Sequence, residues 1–303
     1  MLKVLKPDIC VIGAGAAGLS VAAGVAQMGT SVVLIEQSLM GGDCLNYGCI
    51  PSKALLAAAH AVHEAQNAKK FGIDVSVKSI DFDLVRQHVD SVVKSIEPND
   101  SIERFNNLGV EVIIGRANFV SPTILVVNGI EVRASRYVLA IGSEAFVPEI
   151  QGLSSVPYYT NKTIFALNEL PSALIVLGGG PIGVELAQAY KPLGSKVIIV
   201  ELGTILARED PDLVHELRKS LLDSGVLIYE HAKPSSFAKV NEEISLRFIH
   251  HNESKTIIGS HILVACGRMV PVDKLGLSDA GIKCNNKSIL VDKSLRTSNK
   301  KVY

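Results

Sequence analysis

The chain has no tryptophan, and aromatic residues make up only 5% of its 303 residues. It carries five cysteines, an odd number that is too small for a disulfide-stapled secreted domain. A reducing cytoplasm is therefore the expected setting, where a close cysteine pair is more often catalytic than structural. The formal net charge is +0, so the balance of charges favours neither nucleic acid nor an anionic membrane as a partner.

One stretch lacks charge altogether, from Ile9 to Ile35, and it is long enough to span a bilayer. Glycines interrupt it at turn positions, and no small-residue cleavage site closes a short apolar core. Neither a membrane span nor a signal peptide is therefore predicted. A buried strand–helix–strand unit explains the missing charges, because parallel strands are covered on both faces.

An internal repeat organises the chain. In both copies a short apolar strand leads into a glycine-rich turn, a helix follows, and the next strand ends in an acidic residue. The glycines of the two turns are, in order, Gly13, Gly15 and Gly18, then Gly178, Gly180 and Gly183. The acidic residues are Glu36 and Glu201, each 23 positions after the first glycine of its turn.

This pattern is the full dinucleotide-binding fingerprint, and it occurs in both copies. The first glycine permits the tight turn, the second lets a pyrophosphate approach the backbone, and the third lets the helix pack on the strand. The helix N-terminus attracts the phosphates, and the acidic residue accepts hydrogen bonds from a ribose. The alternative is a pair of plain βαβ units with incidental glycines, against which the matched spacing argues. Two such sites suggest a bound flavin and a diffusible nicotinamide.

Between the two turns the pattern predicts helical stretches over 52–70 and 81–107. A β-rich segment follows, with strands over 110–115, 123–127, 130–134 and 137–141. Asn128-Gly129 is typical of a two-residue hairpin turn between two of these strands.

The segment Gly41-Gly-Asp-Cys44-Leu-Asn-Tyr-Gly-Cys49-Ile-Pro51-Ser-Lys53 carries the chemistry. Pro51 suits a first helical turn, so Cys49 is expected at a helix N-terminus, where the dipole favours a thiolate. Cys44 lies five positions earlier in a glycine-bearing loop, close enough for a disulfide. A structural disulfide or two idle thiols are the alternatives, but the position after the first dinucleotide unit favours a redox pair.

This segment resembles the redox motif of the class I pyridine nucleotide–disulfide oxidoreductases, which include dihydrolipoamide dehydrogenase, glutathione reductase and mercuric reductase. The resemblance covers essentially the whole chain. It implies FAD at the first glycine-rich turn, with Gly42 among its contacts, and NAD(P)H at the second. It implies that Cys49 is the charge-transfer thiolate facing the flavin and that Cys44 is the interchange thiol that meets the substrate. It also places Lys53 near flavin N5, paired with Glu185.

Two further segments resemble family motifs where the chain leaves the FAD domain and returns from the NAD domain. They are Leu139-Ala-Ile-Gly142-Ser143 and Val264-Ala-Cys-Gly267-Arg268. The resemblance adds Gly142 and Gly267 to the expected cofactor-binding residues. Cys266 replaces a usual polar residue, and we expect it to be packed rather than redox-active, as we expect of Cys10 and Cys284.

The motifs Gly41-Gly-Asp-Cys44, Pro157-Tyr-Tyr-Thr-Asn161 and Gly180-Pro-Ile-Gly183 resemble the mercuric-reductase-like branch more than lipoamide dehydrogenase. Pro181 stands where several relatives have a gating tyrosine. No heavy-metal-binding cysteine pair precedes the first strand, and no resident metal site is predicted. The implied acceptors are a small-molecule disulfide, a lipoyl group or a metal ion.

The sequence ends at Tyr303, where the family continues with a third FAD motif and a dimerisation domain. That domain supplies an acid–base histidine to the partner subunit, and none of the eight histidines here matches its motif. The resemblance implies a homodimer for the full-length protein. We expect these 303 residues alone to have little of the family activity.

The predicted fold is α/β, with two doubly wound Rossmann-like domains. Residues 1–150 are assigned to FAD, 151–269 to NAD(P)H, and 270–303 to the start of a return segment. Glu201 ends the strand after the second turn, and no Arg or Lys lies between it and Arg208 to bind a 2′-phosphate. This favours NADH over NADPH. The predicted function is FAD-dependent, NAD(P)H-linked disulfide or metal-ion reduction through Cys44 and Cys49. The alternatives are an inactive dinucleotide-binding fragment and a flavin-dependent NADH oxidase or monooxygenase, against which the cysteine pair argues.

Overall fold

The computed structural model describes residues 3–285 and 288–303. The α-helices in this part of the chain are α1 (Ala16–Gln27), α2 (Gly42–Tyr47), α3 (Cys49–Asn67), α4 (Phe82–Ile96), α5 (Ile102–Asn107), α6 (Pro181–Tyr190) and α7 (Pro211–Asp223). The strands are β1 (Val4–Leu5), β2 (Ile9–Ile12), β3 (Val32–Glu36), β4 (Val110–Ile114), β5 (Asn118–Ser121), β6 (Ile124–Val127), β7 (Ile130–Val132), β8 (Arg136–Leu139), β9 (Glu144–Ala145), β10 (Ala173–Leu177), β11 (Lys196–Val200), β12 (Leu227–Tyr229), β13 (Lys233–Val240), β14 (Glu243–His250), β15 (Glu253–Gly259), β16 (His261–Val264) and β17 (Arg268–Met269).

The chain forms two compact units, each with one copy of the repeat. The first unit takes the described residues of Met1–Asn46, Val93–Glu144 and Arg268–Tyr303. The second takes Tyr47–Val92 and Ala145–Gly267, and so contains the helix that begins at Cys49. The division into an FAD domain and an NAD(P)H domain concerns ligands and stays a prediction.

Each unit is built on a four-stranded parallel sheet, ordered β4-β3-β2-β8 in the first and β12-β11-β10-β16 in the second. The two orders correspond strand for strand, so the repeat extends beyond the segments that reveal it in the sequence. In both sheets the glycine-rich turn follows a central strand at the point where the strand order reverses. Crevices at this point are where open α/β sheets bind their ligands. The predicted α/β fold is confirmed.

Burial explains the charge-free run at the start of the chain. All five residues of β3 are buried, and β2 is buried at Cys10, Val11 and Ile12. Helix α1 contributes Leu19 and Ala22 to a cluster that also contains Leu34 and Phe105. The sheet is therefore covered by apolar packing, which is why its strands read as continuous hydrophobic sequence. Among the described residues, no helix is both long and apolar enough to cross a membrane.

Smaller sheets complete the units. In the first unit β5, β6 and β7 form an antiparallel ribbon, and β1 joins β7 in parallel. The predicted hairpin is confirmed, because Val127 pairs with Ile130 across Asn128 and Gly129, whose φ angles are 48° and 75°. The second unit carries the antiparallel meander β13-β14-β15.

The predicted helical stretch over 81–107 is wrong as a single helix. Helix α4 ends at Ile96, a 3₁₀ turn covers Glu97–Asp100, and α5 begins at Ile102. Pro98 has no N–H to donate to a continuing helix. Ser101 then starts α5 afresh, because its hydroxyl oxygen accepts a hydrogen bond from the Arg104 amide at 3.2 Å. Helix α3 begins at Cys49, earlier than the predicted start at residue 52.

Two glycines of α1 give a matched test of the packing. A Cβ added at Gly18 would lie 1.8 Å from the Gly13 carbonyl oxygen, whereas a Cβ at Gly24 would meet nothing within 4 Å. Gly18→Ala should therefore destabilise the chain by about 2–4 kcal/mol. Gly24→Ala should stabilise it by about 0.5–1 kcal/mol, because alanine is the better helix former. Urea unfolding followed by circular dichroism measures both, and equal midpoints for the two variants would contradict the proposed backbone contact.

Candidate functional site

The first glycine-rich turn joins β2 to α1 with very little space around it. Gly13 has φ +104°, and a Cβ there would lie 2.2 Å from the carbonyl oxygen of Ala140. The Ala140 amide in turn donates to the Ile12 carbonyl at 2.8 Å. The backbone of the first crossover segment, residues 139–143, is therefore packed against the turn, and only glycine fits at position 13.

The second turn repeats this arrangement. Gly178 has φ +107°, and a Cβ there would lie 2.4 Å from the carbonyl oxygen of Ala265. The Ala265 amide donates to the Leu177 carbonyl at 2.8 Å. The third glycine, Gly183, lies against Gly178, where a Cβ would approach the carbonyl oxygen to 2.1 Å. The second crossover segment, residues 264–268, thus matches the first in structure as it does in sequence.

Both predicted acidic residues bind the backbone around their own turn. The Glu36 carboxylate accepts hydrogen bonds from the Ala14 amide at 2.6 Å and the Ser38 amide at 2.8 Å. The Glu201 carboxylate accepts from Gly179 at 2.6 Å and Gly203 at 2.7 Å. A carboxylate oxygen accepts more than one hydrogen bond, so these contacts orient the carboxylate and leave acceptor sites for a ribose hydroxyl. The fingerprint alone did not reveal this second role in ordering the turn.

The helix N-termini behind the turns fit an anionic ligand. Helices α1 and α6 begin after Gly15 and Gly180, and neither cap has a side-chain hydrogen bond or an acidic residue in its first turn. A Cβ at Gly180 would meet nothing within 4 Å, so open space lies in front of that helix. Free N–H groups and the helix dipole favour a pyrophosphate in such a place. The residues present therefore fit a dinucleotide at each turn.

The segment that carries Cys44 is bound to the first glycine-rich turn. The Gly41 amide donates to the Ala14 carbonyl at 2.9 Å. Gly42, with φ +56°, lies so close to Gly15 that a Cβ would approach its Cα to 2.6 Å. Cys44 follows in α2 and is half-buried. The redox segment and the first predicted cofactor turn thus meet within the first unit, at the glycines that the resemblance marked.

Helix α2 is held at its other end by Asn46. Its side-chain amide donates to the carbonyl oxygens of Met40 and Gly42, each at 2.9 Å. These contacts close the short helix on its own loop and fix the backbone on both sides of Cys44.

Cys49 is the first residue of α3, at a helix N-terminus as the position of Pro51 predicted, and it is exposed. One turn further, the Lys53 ammonium lies 2.6 Å from the Glu185 carboxylate of α6. Helix α6 begins at the second glycine-rich turn, so this ion pair joins α3 to the helix that follows that turn, within the second unit. The resemblance predicted this pairing, which charge alone did not.

Asn161 also touches the redox segment. It is 6% exposed, and its side-chain amide donates to the Tyr47 carbonyl at 3.3 Å, two residues before Cys49. Its backbone lies in the motif 157–161, which sequence reasoning used only to choose a branch of the family. The place of Asn161 in that motif was the signal available in the sequence.

The remaining cysteines are packed. Burial raises the pKa of the Cys10 thiol to about 12. Burial and the charge of Glu201 raise the pKa of Cys266 to about 12, and its thiol donates to the Leu177 carbonyl at 3.3 Å. Burial, together with Asp273, raises the pKa of Cys284. Among residues 3–285 and 288–303, no group of three or more His, Cys, Asp or Glu is placed to hold a metal ion.

Two glycine-rich turns, each with an oriented carboxylate and an uncapped helix, define a protein with two dinucleotide-binding folds, and the segment that carries Cys44 is bound to the first of them. Residues 7–303 match the family described as pyridine nucleotide-disulphide oxidoreductase, and the chain belongs to that family. Members of this family use FAD and NAD(P)H.

Named relatives agree with this membership. The chain is 33% identical over 301 residues to a mercuric reductase of Lysinibacillus sphaericus, covering 98% of the chain and 55% of the relative. It is 34% identical over 302 residues to a dihydrolipoyl dehydrogenase of Geobacillus stearothermophilus, covering 97% of the chain and 63% of the relative. Among solved structures, the HOCl-induced flavoprotein disulfide reductase RclA from Escherichia coli matches with a TM-score of 0.84 and 30% identity. That match covers 98% of the chain and 65% of the relative, so the chain spans roughly half to two thirds of these proteins.

The burial of the cysteines gives a test by selective alkylation. With a pKa of about 12, Cys10 and Cys266 carry a thiolate in only about one molecule in ten thousand at about pH 8. Brief iodoacetamide treatment of the reduced, folded protein should therefore modify the exposed Cys49 well before either of them. Peptide mass spectrometry locates the label, and labelling in urea gives the reference for full access. Early modification of Cys266 in the folded protein would show that it is a reactive thiol.

Proposed function

We propose that the chain forms the dinucleotide-binding part of an FAD-dependent, NAD(P)H-linked disulfide oxidoreductase. One observation carries the proposal: the segment with Cys44 is hydrogen-bonded to the first glycine-rich turn, with Gly42 against Gly15. A thiol segment fixed to a dinucleotide-binding turn is what electron transfer between a flavin and a disulfide requires. A structural disulfide would have no need of this attachment.

In this proposal the first turn holds FAD, through Gly13, Gly15, Gly18 and Glu36, with Gly42 and Gly142 beside it. The second turn holds NAD(P)H, through Gly178, Gly180, Gly183 and Glu201, with Gly267 beside it. Residues 1–150 and the segment from 270 would then serve FAD, and residues 151–269 the nicotinamide nucleotide. When bound, the two cofactors supply the two-electron transfer that opens the Cys44–Cys49 disulfide.

The two thiols divide the chemistry that follows. The reduced Cys44 attacks one sulfur of a substrate disulfide as a thiolate, which releases the other sulfur as a thiol and leaves a mixed disulfide on Cys44. Cys49 then attacks the Cys44 sulfur, which frees the second substrate thiol and restores the protein disulfide. Cys49 suits the second step by its place, since it is exposed at the start of α3.

Lys53 and Glu185 are proposed to act at the flavin. Their side chains form a charge-assisted pair, in which 66% of the lysine side chain and 25% of the glutamate side chain remain exposed. The pair orients the ammonium on the helix that carries Cys49. An ammonium held in this way can stabilise negative charge on a ligand at the start of α3.

The acceptor is proposed to be a small-molecule disulfide, a lipoyl group or a metal ion. Relatives are named mercuric reductase and dihydrolipoyl dehydrogenase, and one matched RclA structure from Escherichia coli is described as a Cu(II) complex. A metal ion is a chemically sound acceptor, since a thiolate pair binds soft metals. We also propose a cytoplasmic homodimer, on the family resemblance and the low cysteine content.

Cysteine variants separate this function from its two rivals. In the full-length protein, FAD and NADH under anaerobic conditions should produce a long-wavelength absorbance from a thiolate beside the flavin. Cys49→Ser should abolish that band, and Cys44→Ser should keep it, since Cys49 is assigned to the flavin side. Reduction of lipoamide and of dithionitrobenzoate, measured in parallel, should fail in both. Bound FAD with no change on adding NADH would support an inactive binding protein, and oxygen-dependent NADH oxidation unaffected by either variant would support a flavin oxidase.

Nucleotide preference tests the second turn. NADH should bind more tightly than NADPH, because the Glu201 carboxylate would repel a 2′-phosphate by roughly 1–3 kcal/mol if partly desolvated. Fluorescence titration with each nucleotide measures the ratio, and Glu201→Gln should narrow it by lowering the repulsion. Glu209→Gln is the control, an acidic residue on the loop after the site. Tighter binding of NADPH by the parent protein would contradict the assignment.

A further inference from the structure

Arg268 forms a cluster in the first unit that the sequence did not predict. Its guanidinium pairs with the Asp43 carboxylate, and its Nε donates to the Ser143 hydroxyl at 2.7 Å. A second guanidinium nitrogen also donates to the Ser143 carbonyl. Only 29% of the Arg268 side chain and 34% of the Asp43 side chain are exposed. Nε and one terminal nitrogen of the guanidinium therefore bind partners on two segments, and the Arg268–Asp43 pair is partly shielded from water.

The three residues occupy meaningful positions. Asp43 lies in the first turn of α2 and directly precedes Cys44. Ser143 follows Gly142 in the first crossover segment, and Arg268 follows Gly267 in the second. Both glycines have positive φ, +65° and +116°, so the chain bends sharply just before each partner. One guanidinium thus ties the start of the thiol-bearing helix to the ends of both crossover segments.

The surroundings make this a precise restraint on Cys44. Asn46 already closes α2 on the Met40 and Gly42 carbonyls, so the helix moves as one short body. Glu144, which follows Ser143, forms a pair of its own with Lys274 at 3.3 Å. The Asp43–Arg268 pair therefore brings one carboxylate and one guanidinium to the start of α2.

We propose that Arg268 is a positioning residue for Cys44, holding α2 through Asp43 and balancing the carboxylate charge beside the thiol. Arg268 touches no reacting atom in this role. Removal of either partner both loosens the helix and leaves one unbalanced charge next to Cys44. The sign of that charge depends on which partner is removed. The inference rests on the proposed function only in naming Cys44 as the thiol that reacts with substrate.

The test measures the reactivity of Cys44 in a Cys49→Ser background, with iodoacetamide as the probe and peptide mass spectrometry to locate the label. The rate is measured across pH for the parent, Asp43→Asn and Arg268→Gln. Asp43→Asn leaves the guanidinium unbalanced and should lower the pH midpoint of labelling by about 0.5–1 pH unit. Arg268→Gln leaves the carboxylate unbalanced and should raise it by a similar amount. A purely structural contact would shift both midpoints in the same direction or in neither.

Hydrogen exchange of the amides in 42–47 measures the positioning itself. Exchange should accelerate several-fold in Asp43→Asn, in Arg268→Gln and in the double variant. The double variant also restores charge balance, so its pH midpoint of Cys44 labelling should return to near the parent value. Arg268→Lys keeps the charge without the fork, so it should keep the midpoint and still accelerate exchange. Arg296→Gln is the matched control, since it breaks a local Arg–Asp pair of the same unit, with Asp292 at 3.1 Å.

The proposal would be overturned if the pH midpoint of Cys44 labelling shifted in the same direction, or not at all, in Asp43→Asn and Arg268→Gln. Unchanged amide exchange over 42–47 in both variants would also overturn it. A variant that fails to fold is recognised by circular dichroism, and Arg268→Lys then carries the exchange test. None of these measurements needs a bound cofactor or turnover. Failure of the proposed oxidoreductase activity would appear instead as absent NADH-dependent reduction with these midpoints still shifted in opposite directions.

Discussion

The first unit depends on close backbone contacts at glycines, where a Cβ atom would not fit. Gly18 lies against the Gly13 carbonyl, Gly13 against Ala140, and Gly42 against Gly15. These contacts bring the turn, the first crossover segment and the redox segment to one place, at the end of the central strand. Any Cβ at these positions would move a backbone rather than a flexible side chain. The start of α1, the orientation of Glu36 and the location of Cys44 all follow from this packing.

The second unit uses the same constraint for a different attachment. Gly178 and Gly183 repeat the close approach. The Glu201 carboxylate accepts hydrogen bonds at 2.6 and 2.7 Å, as Glu36 does at 2.6 and 2.8 Å. What the second unit adds is the ion pair between Lys53 and Glu185. The same βαβ element thus anchors the Cys44 segment through backbone in one unit and the Cys49 helix through charge in the other. The two copies of the βαβ element therefore have the same local structure but contact different segments at the carboxyl ends of their strands.

The cysteines of the chain differ in their environments. Cys10 and Cys266 lie in or at the end of buried strands, where the charged form has no solvation and the pKa rises to about 12. Cys49 lies at an exposed helix start, and Cys44 lies half-buried in a short helix. Arg268 adds a restraint on the latter helix, since its guanidinium balances the carboxylate that precedes Cys44. The reactivity proposed for Cys44 and Cys49 therefore rests on their placement in helices and, for Cys44, on the charge pair beside it.

The sequence by itself determined the two turns, their strands and acidic residues, and the cysteine segment. These are local signals, because glycine positions, strand–helix periodicity and the place of Pro51 depend on neighbours along the chain. The pairing of Lys53 with Glu185 came from resemblance, since their charges alone indicated two solvated residues. Only the tertiary structure decided that Gly42 packs on Gly15, that Glu36 and Glu201 bind turn amides, and that Arg268 reaches Asp43. Those contacts join residues that are distant in sequence, so their geometry depends on the register of whole strands and on the exclusion of water around them. No local pattern of residues contains that information.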